Sequence, residues 1–523
     1  MRGRFQLYFW TIRYLKPEQV FWRIAKRLGV KCALKGAHPS VGGGQRIAVF
    51  LPELDYDSVF LNRFCVEELM HDRVTFLREA EDFQWEGIWH LDARTPLWNF
   101  NLHYFEYIHP LTHRYLETED RRFLDKTVEM IRGWINRNPM ENGGEGWSPY
   151  TISLRLTNWM AYAAAIDQHL TDSFREELEA SMFKQYLYLS ENLEKDILGN
   201  HYFENLKTLV LCSLYFGDME PIPIYLHAFR EACREQILPD GFHFELSPMY
   251  HKIVLEGLLR VCIALRNANM PDSELEKLAQ DMVDAAYTVE HGLHRTPLFN
   301  DSGDNVSKSL KALLEAAQKH LGLMPQVKPS LPDSGYYFLE NGPWRLLVDA
   351  GKAGPDYIPG HSHCDAMSFE LYREGVPVLV NCGTYAYQDE KRHWFRSTEA
   401  HNTVQVTGVE QSEIWSIFRL ARRSKTRVLE VQENSIRMEM TDYRGNRINR
   451  QILLQPDALY IKDWAEGQAL QSYLHSTNEI EITSSKPIIR SVVDYAPEFG
   501  LLQSINQITA IGTDSIELTV PLA

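Results

Sequence analysis

Paired cysteines are missing from this chain. Its seven cysteines, Cys32, Cys65, Cys212, Cys233, Cys262, Cys364 and Cys382, are odd in number, scattered and never spaced CxxC. A disulfide framework is therefore excluded and the thiols read as reduced. Long apolar runs are missing too: none approaches the roughly 18 residues that cross a bilayer. Positive charge is in deficit, with 54 Lys and Arg against 70 Asp and Glu and a net charge of −16. That balance is opposite to the one a general nucleic-acid binder shows. There is no Gly-rich phosphate loop, no HExxH and no GxSxG, which removes nucleotide hydrolysis, zincin and serine-hydrolase chemistry. Asp301-Ser302-Gly303-Asp304 begins like a calcium loop but lacks the rest of that pattern. Apolar residues at 44% and charged residues at 24% are globular values, so disorder and collagen-like classes are out.

What is present is a 523-residue chain, too long for one core, so two or more domains are expected. Aromatic residues reach 12%. They would suit sugar stacking, although most aromatics simply pack. Residues 1–35 carry nine Lys or Arg and one Glu, a surplus of eight positive charges that leaves −24 on the remainder. Arg13, Lys16 and Glu18 interrupt the apolar stretch and no small-residue cleavage site follows, so it does not read as a signal peptide. A cytoplasmic location, open to peripheral membrane contact, is the expectation. Pro17 is placed to start a helix. Val20, Phe21, Ile24, Ala25 and Leu28 then form one apolar face, flanked by Arg23, Lys26 and Arg27. Such a face packs on its own protein, the favoured reading, or meets an anionic lipid surface.

From about residue 55 to 325 apolar spacing is helical, over 121–136, 156–169, 173–191, 206–216, 224–236, 250–267 and 274–292. Breaks carry Gly, Pro, Asn or Asp. Paired helices of similar length suggest a toroid or helical array. After Pro329 and Pro332 the texture changes to short strands with turn signals. Residues 336–340 and 344–348 read as one hairpin, 367–372 and 378–380 as another, followed by strands at 401–406, 427–431, 435–440, 450–454 and 459–463. An antiparallel sandwich or layered sheet is expected there. The predicted organisation is a basic helical segment at 1–55, a helical domain at 56–326 and an antiparallel β domain at 327–523.

Four clusters could carry chemistry. In Gly199-Asn200-His201-Tyr202-Phe203-Glu204, Asn200 can cap a helix, and His201 and Glu204 share one face at i, i+3. In Asp240-Gly241-Phe242-His243-Phe244-Glu245-Leu246-Ser247-Pro248-Met249-Tyr250-His251, a turn leads into a helix start crowded with polar and aromatic side chains. In Gly360-His361-Ser362-His363-Cys364-Asp365, two histidines stand two apart, on one face of a strand or diverging from a turn. Asn381-Cys382-Gly383-Thr384-Tyr385, with Arg396 and Ala400-His401-Asn402-Thr403, could join His363 in a small metal site. Zinc prefers nitrogen, thiolate and carboxylate donors, and Asn381 is a poor one. Cys364, Cys382 or Asp365 could take its place.

In this order the clusters resemble the heparinase II/III-like superfamily of polysaccharide lyases. The shared pattern is Gly-Asn-His with Glu204, Ser-Pro-Met-Tyr-His, Gly-His-Ser-His-Cys-Asp-Ala-Met-Ser-Phe, Gly-Thr-Tyr and Ala-His-Asn-Thr-Val. Segments 97–105, 146–150 and 153–159 fit as well. With the basic N-terminus, the pattern is most similar to the branch encoded among bacterial capsule, O-antigen and exopolysaccharide genes. The resemblance implies an α+β multidomain fold, an N-terminal (α/α) toroid followed by a C-terminal antiparallel β-sandwich, with the active site in the cleft between them. It implies β-elimination of a uronic-acid polysaccharide. The enolate-like charge that grows when the C5 proton leaves must be neutralised. Asn200 and His201 match the positions for that task, Tyr250 the tyrosine that acts as base, acid or both, and His361 the second proton carrier. Glu204 matches a glutamate that shapes the uronate environment. His103, Arg155, Glu245 and Arg396 are candidate substrate contacts. His363 and His401 match two zinc ligands, while Asn381 stands where the family has an Asp. An acidic polysaccharide is the expected partner, and no nucleic acid. The residues alone leave two other readings open: a glycoside hydrolase using Glu204 and Glu245, and a non-catalytic glycan-binding member of a polysaccharide assembly system.

Overall fold

The computed structural model describes residues 2–40 and 42–522. Two helices come first, α1 (Arg2–Tyr14) and α2 (Pro17–Arg27). Residues from Cys32 onward, including Ile47, Val49, Leu51 and Leu54, pack into the core of the helical region that follows.

Beyond a first short inner helix, that region alternates inner and outer helices. The inner ones are α3 (Pro96–Tyr104), α4 (Ile108–Thr118), α6 (Pro149–Ile166), α8 (Gly199–Phe216) and α10 (Pro248–Asn267). The outer ones are α5 (Arg121–Arg137), α7 (Asp172–Glu191), α9 (Ile222–Gln236) and α11 (Ser273–Glu290). Sequence composition explains the alternation. In α10 16 of 20 residues are buried, whereas in α7 only 7 of 20 are. A helix apolar all round must sit inside, while one with a single apolar stripe covers it. The outer helices α5, α7 and α11 start on side-chain caps from Asp120, Thr171 and Asp272, which satisfy amides that helix geometry leaves free.

The C-terminal region is antiparallel throughout its ladders. Strands β1 (Tyr336–Asn341), β2 (Trp344–Asp349), β3 (Ser368–Arg373) and β4 (Val376–Leu379) form a meander. Strands β6 (Lys425–Gln432), β7 (Ser435–Thr441), β8 (Arg447–Leu454) and β9 (Ala458–Ser476) form a second. The long β9 joins them. It pairs at one edge with β8 and then with β5 (Val404–Val406), and reaches β4 at Ser476. At the other edge it pairs with β11 (Gln503–Pro521), which in turn pairs with β10 (Ile488–Tyr495). Inward residues of both groups, among them Leu346, Phe369, Met438, Ile452 and Leu474, share one apolar core.

Two local expectations are corrected. The N-cap of α8 is Leu198, and Asn200 lies inside the first turn. Leu198 and Gly199 both take positive φ, and a Cβ on Gly199 would meet Ile358 Cδ1 at 2.7 Å and Glu245 Oε1 at 2.9 Å. This tight entry needs glycine and turns Asn200 toward the cleft. The strand expected from His401 begins only at Val404, because residues 398–400 form a 3-10 turn.

Candidate active site

A cleft of about 1080 Å³ lies between the two regions. The first turns of α8 and α10 supply one wall. Ser247 caps α10 by accepting from the Tyr250 N–H at 3.2 Å, and Pro248 occupies its first turn. The loop at residues 355–361 and the segment around Tyr387 supply the other wall. Asn200, His201, Glu204, Tyr250 and His361 all line the cleft.

Tyr250 and His361 meet with ring centroids 3.9 Å apart and planes tilted by 30°. The Tyr250 hydroxyl lies 2.9 Å from the Tyr387 hydroxyl. Burial, then Tyr387, Asp301 and Glu245, push the Tyr250 phenol well above its ordinary value. It therefore holds its proton at rest. His361 places Nδ1 2.9 Å from Asp301 Oδ2, so its Nε2 is the nitrogen left for chemistry, 3.6 Å from Glu245 Oε2.

Asp301 is the hub beneath this pair. The Arg392 guanidinium clamps both of its oxygens, with Nη2 to Oδ2 at 2.7 Å. His363 Nε2 lies 2.8 Å from Oδ1, and Thr384 donates at 3.2 Å. Burial alone would raise this carboxyl, but Arg392, His361 and His363 outweigh it and hold it well below the usual range. The backbone of Asp301 accepts from Ser247 Oγ at 2.7 Å and donates to the His361 carbonyl at 3.0 Å. One residue thus ties the cap of the tyrosine helix to the histidine loop.

On the facing turn, the Asn200 N–H donates to Glu245 Oε1 at 3.3 Å, while its side-chain Oδ1 meets no protein partner. His201 places Nδ1 3.1 Å from Glu194 Oε1 and stacks near Tyr150. Burial opposes its charge, but Glu194, with Glu245 and Asp196, outweighs burial and raises the imidazole. Glu204 pairs with Lys207, and burial raises its carboxyl against that pull. Seven Lys or Arg side chains line the cleft against four Asp or Glu, a local surplus of positive charge on a net acidic protein. Such a surplus draws an anionic chain inward.

Four expected substrate contacts do not reach the cleft, each because it serves the interior. His103 is buried and accepts from Trp134 Nε1 at 2.9 Å. Arg155 is fully buried, donating to Gln185 Oε1 and to the carbonyls of His103 and Gly146, with its guanidinium over the Trp134 ring. Arg396 is fully buried and donates to the Ser362, Ser416 and Ile417 carbonyls, fixing the loops on either side. Glu245 lies behind Asn200 and His361, where burial raises its carboxyl against the pull of His361. Asp301, Arg392 and Tyr387 stand outside the motifs that the sequence singles out. Asp301 was visible only as a broken calcium-like pattern, and Tyr387 only as a neighbour of Gly383-Thr384-Tyr385.

Known proteins share this architecture. The family model described as Heparinase II/III N-terminus matches residues 59–327, and that described as Heparinase II/III-like, C-terminal matches residues 324–497. The chain belongs to the heparinase II/III family. A heparin-sulfate lyase of Pedobacter heparinus is 22% identical over 375 residues, covering 64% of this chain and 55% of that protein. One of Bacteroides stercoris is 22% identical over 400 residues, covering 65% and 58%. The chain thus spans little more than half the length of these curated relatives. Among solved structures, heparinase III superposes with a TM-score of 0.67 at 15% identity, over 95% of this chain and 88% of that one. Heparan sulfate lyase from Pedobacter heparinus superposes with a TM-score of 0.54 at 15% identity, over 96% and 87%. At these identities the likeness establishes the fold.

For this heparinase II/III chain the zinc expectation meets its own donor set. The His363 and His401 rings lie 5.3 Å apart. Neither ring nitrogen of His401 meets a hydrogen-bond partner, and nor does His363 Nδ1. The third position is an amide. Asn381 Oδ1 accepts from the Asn402 N–H at 3.2 Å and keeps a second lone pair, while Nδ2 has none to give. Asp301 holds His363 Nε2, which leaves Nδ1 as the ring nitrogen open to a ligand. Among the described residues no group of three or more His, Cys, Asp or Glu could hold a metal ion. His363 and His401 thus keep free ring nitrogens of the kind zinc takes, while Asn381 replaces the expected carboxylate with a weaker, uncharged donor.

Proposed function

We propose that this protein is a polysaccharide lyase that cleaves a uronate-containing glycan by β-elimination. The observation that carries the reading is the pairing of Tyr250 and His361 in the cleft, with His361 oriented from behind by the ionised Asp301. An ionised carboxylate on Nδ1–H fixes the tautomer and leaves the Nε2 lone pair free to act as base. Tyr250, still protonated, is the matching acid.

The uronate carboxylate lies against the Asn200 side chain and the positively biased His201, which stabilise charge as it spreads from C5. His361 Nε2 takes the C5 proton. The electron pair of that C–H bond forms the C4=C5 double bond, the C4–O4 bond breaks, and O4 leaves with the phenolic proton of Tyr250. Solvent then returns the proton from His361 and reprotonates Tyr250. Curated relatives of the chain are named heparin-sulfate lyases, which supports an acidic polysaccharide as substrate. We assign it to a bacterial capsule, O-antigen or exopolysaccharide chain, on the strength of the basic N-terminal helices that form part of the cleft wall.

Hydrolysis by paired carboxylates has less support, since Glu204 is held by Lys207 and Glu245 is no part of the cleft wall. Cleavage in water enriched in heavy oxygen decides between the two. Elimination leaves both new ends free of label, whereas hydrolysis places one labelled oxygen in every product pair and contradicts the proposal.

A further inference from the structure

Helices α1 and α2 are held to the body by Trp22, which packs on the helical core, by Tyr8, edge-on to Trp415, and by polar contacts. Trp415 Nε1 donates to Thr11 Oγ1 at 3.1 Å, and Gln19 Nε2 donates to the Ile197 carbonyl at 2.8 Å. Lys16 pairs with Glu235, and Lys26 with Asp196. The apolar face expected to pack inward divides: Ala25 is buried, while Phe21, Ile24 and Leu28 are exposed by 61%, 58% and 76%. They stand at i, i+3 and i+7. On α1, Phe5, Tyr8, Phe9 and Ile12 stand at i, i+3, i+4 and i+7, exposed by 73%, 48%, 51% and 55%. Two helical apolar stripes thus face outward, each where a folded chain normally hides one. Exposed arginines flank them, Arg4 and Arg13 on α1 and Arg23 and Arg27 on α2.

We propose that α1 and α2 form an in-plane docking face for an anionic lipid bilayer, which sets the mouth of the cleft at the membrane surface. Residues 1–35 carry eight surplus positive charges while the rest of the chain carries −24. An anionic surface therefore attracts this segment and repels the remainder, which orients the protein. Aromatic and aliphatic stripes bordered by arginine are the composition that lies in the headgroup region. Tyr8, Ile12, Arg23 and Arg27 also line the cleft, so the face that meets lipid is continuous with the site. Among the described residues no helix is long and apolar enough to cross a membrane, so the proposed contact is with the surface. This inference stands whether or not the lyase reading does.

The test is co-sedimentation of the full chain with vesicles of neutral phosphatidylcholine, or of phosphatidylcholine with about 30% phosphatidylglycerol. The expected result is binding to the anionic vesicles only, weakened by about 0.5 M salt through screening. Phe9→Asp with Phe21→Asp should reduce binding at least about ten-fold with an unchanged thermal melt. Ile489→Asp with Val492→Asp, an equally exposed apolar pair on β10, should leave it unaltered. Absence of binding to both vesicle types, or full binding by the Phe9 and Phe21 variant, overturns the proposal. So does a concentration-dependent dimer that the same variant dissociates, since the face would then join two copies of the chain.

Discussion

The Asp301 carboxylate holds His361 on one oxygen and His363 on the other, with Oδ2 2.9 Å from His361 Nδ1 and Oδ1 2.8 Å from His363 Nε2. Arg392 clamps both oxygens and keeps the group ionised in a fully buried place. In the proposed reaction Asp301 therefore positions the base without touching substrate. Asp301→Asn preserves shape but lets its amide donate where His361 must donate, which favours the wrong tautomer. The expected loss is about 10³-fold in kcat with KM little changed. Steady-state kinetics on a variant with native circular dichroism checks this, and near-normal kcat contradicts it.

Tyr387 raises the phenol of Tyr250 through charge and through the hydrogen bond between the two hydroxyls. Removing that hydroxyl in Tyr387→Phe lowers the Tyr250 value. With Tyr250 as the proposed acid, the alkaline limb of the kcat/KM profile should move to lower pH. A limb that stays in place would separate Tyr250 from the proton donor.

Arg155 and His103 belong to the toroid interior. Arg155→Ala leaves two buried carbonyls and the Gln185 side chain without a donor, and should cost about 3 kcal/mol of stability. KM of the folded protein should be unchanged. Denaturant unfolding together with kinetics tests both halves. A raised KM with unaltered stability would restore the substrate-contact role.

Acid should destabilise the fold well before carboxylates titrate. His103, His251 and His475 are buried, chiefly by desolvation, with values lowered to about 3, against about 6.5 in an unfolded chain. Below pH ~6.5 the unfolded state takes up these protons and the native state does not, so stability falls as pH falls toward 3. Each group contributes about 1.4 kcal/mol per pH unit across that window. Melting temperature measured from pH 7 down to pH 5 should drop steadily. A flat profile would mean that these imidazoles are not held neutral.

Much of this was legible in sequence because it is local. The apolar surplus of α10 and α8 marks inner helices, Ser247-Pro248 marks a helix start, and the hairpin at residues 336–348 reads from alternation and its turn. Asn200, Tyr250 and His361 stand in motifs whose order points to the family. What was not legible depends on distant partners. Asp301 meets His361 across 60 residues and Arg392 across 91, and Tyr250 meets Tyr387 across 137. Nothing local in Asp301-Ser302-Gly303-Asp304 announces a carboxylate serving two histidines. Arg155 and Arg396 misled for the converse reason. An arginine near substrate motifs suits a uronate, yet here burial and carbonyl partners use up its donors. Phe21, Ile24 and Leu28 have the spacing of a packing face but lie in solvent, which helical periodicity alone does not distinguish.

The central claim is elimination by the Tyr250–His361 pair. Its most direct test is ultraviolet absorbance during incubation with a panel of uronate polysaccharides, heparan sulfate and bacterial capsular polymers among them. A conjugated C4=C5 uronate absorbs where intact polymer does not. The account predicts a rising signal on at least one polymer, lost in Tyr250→Phe and in His361→Ala with folding intact. A rise that survives both substitutions, or glycan cleavage with no absorbance change, would contradict it.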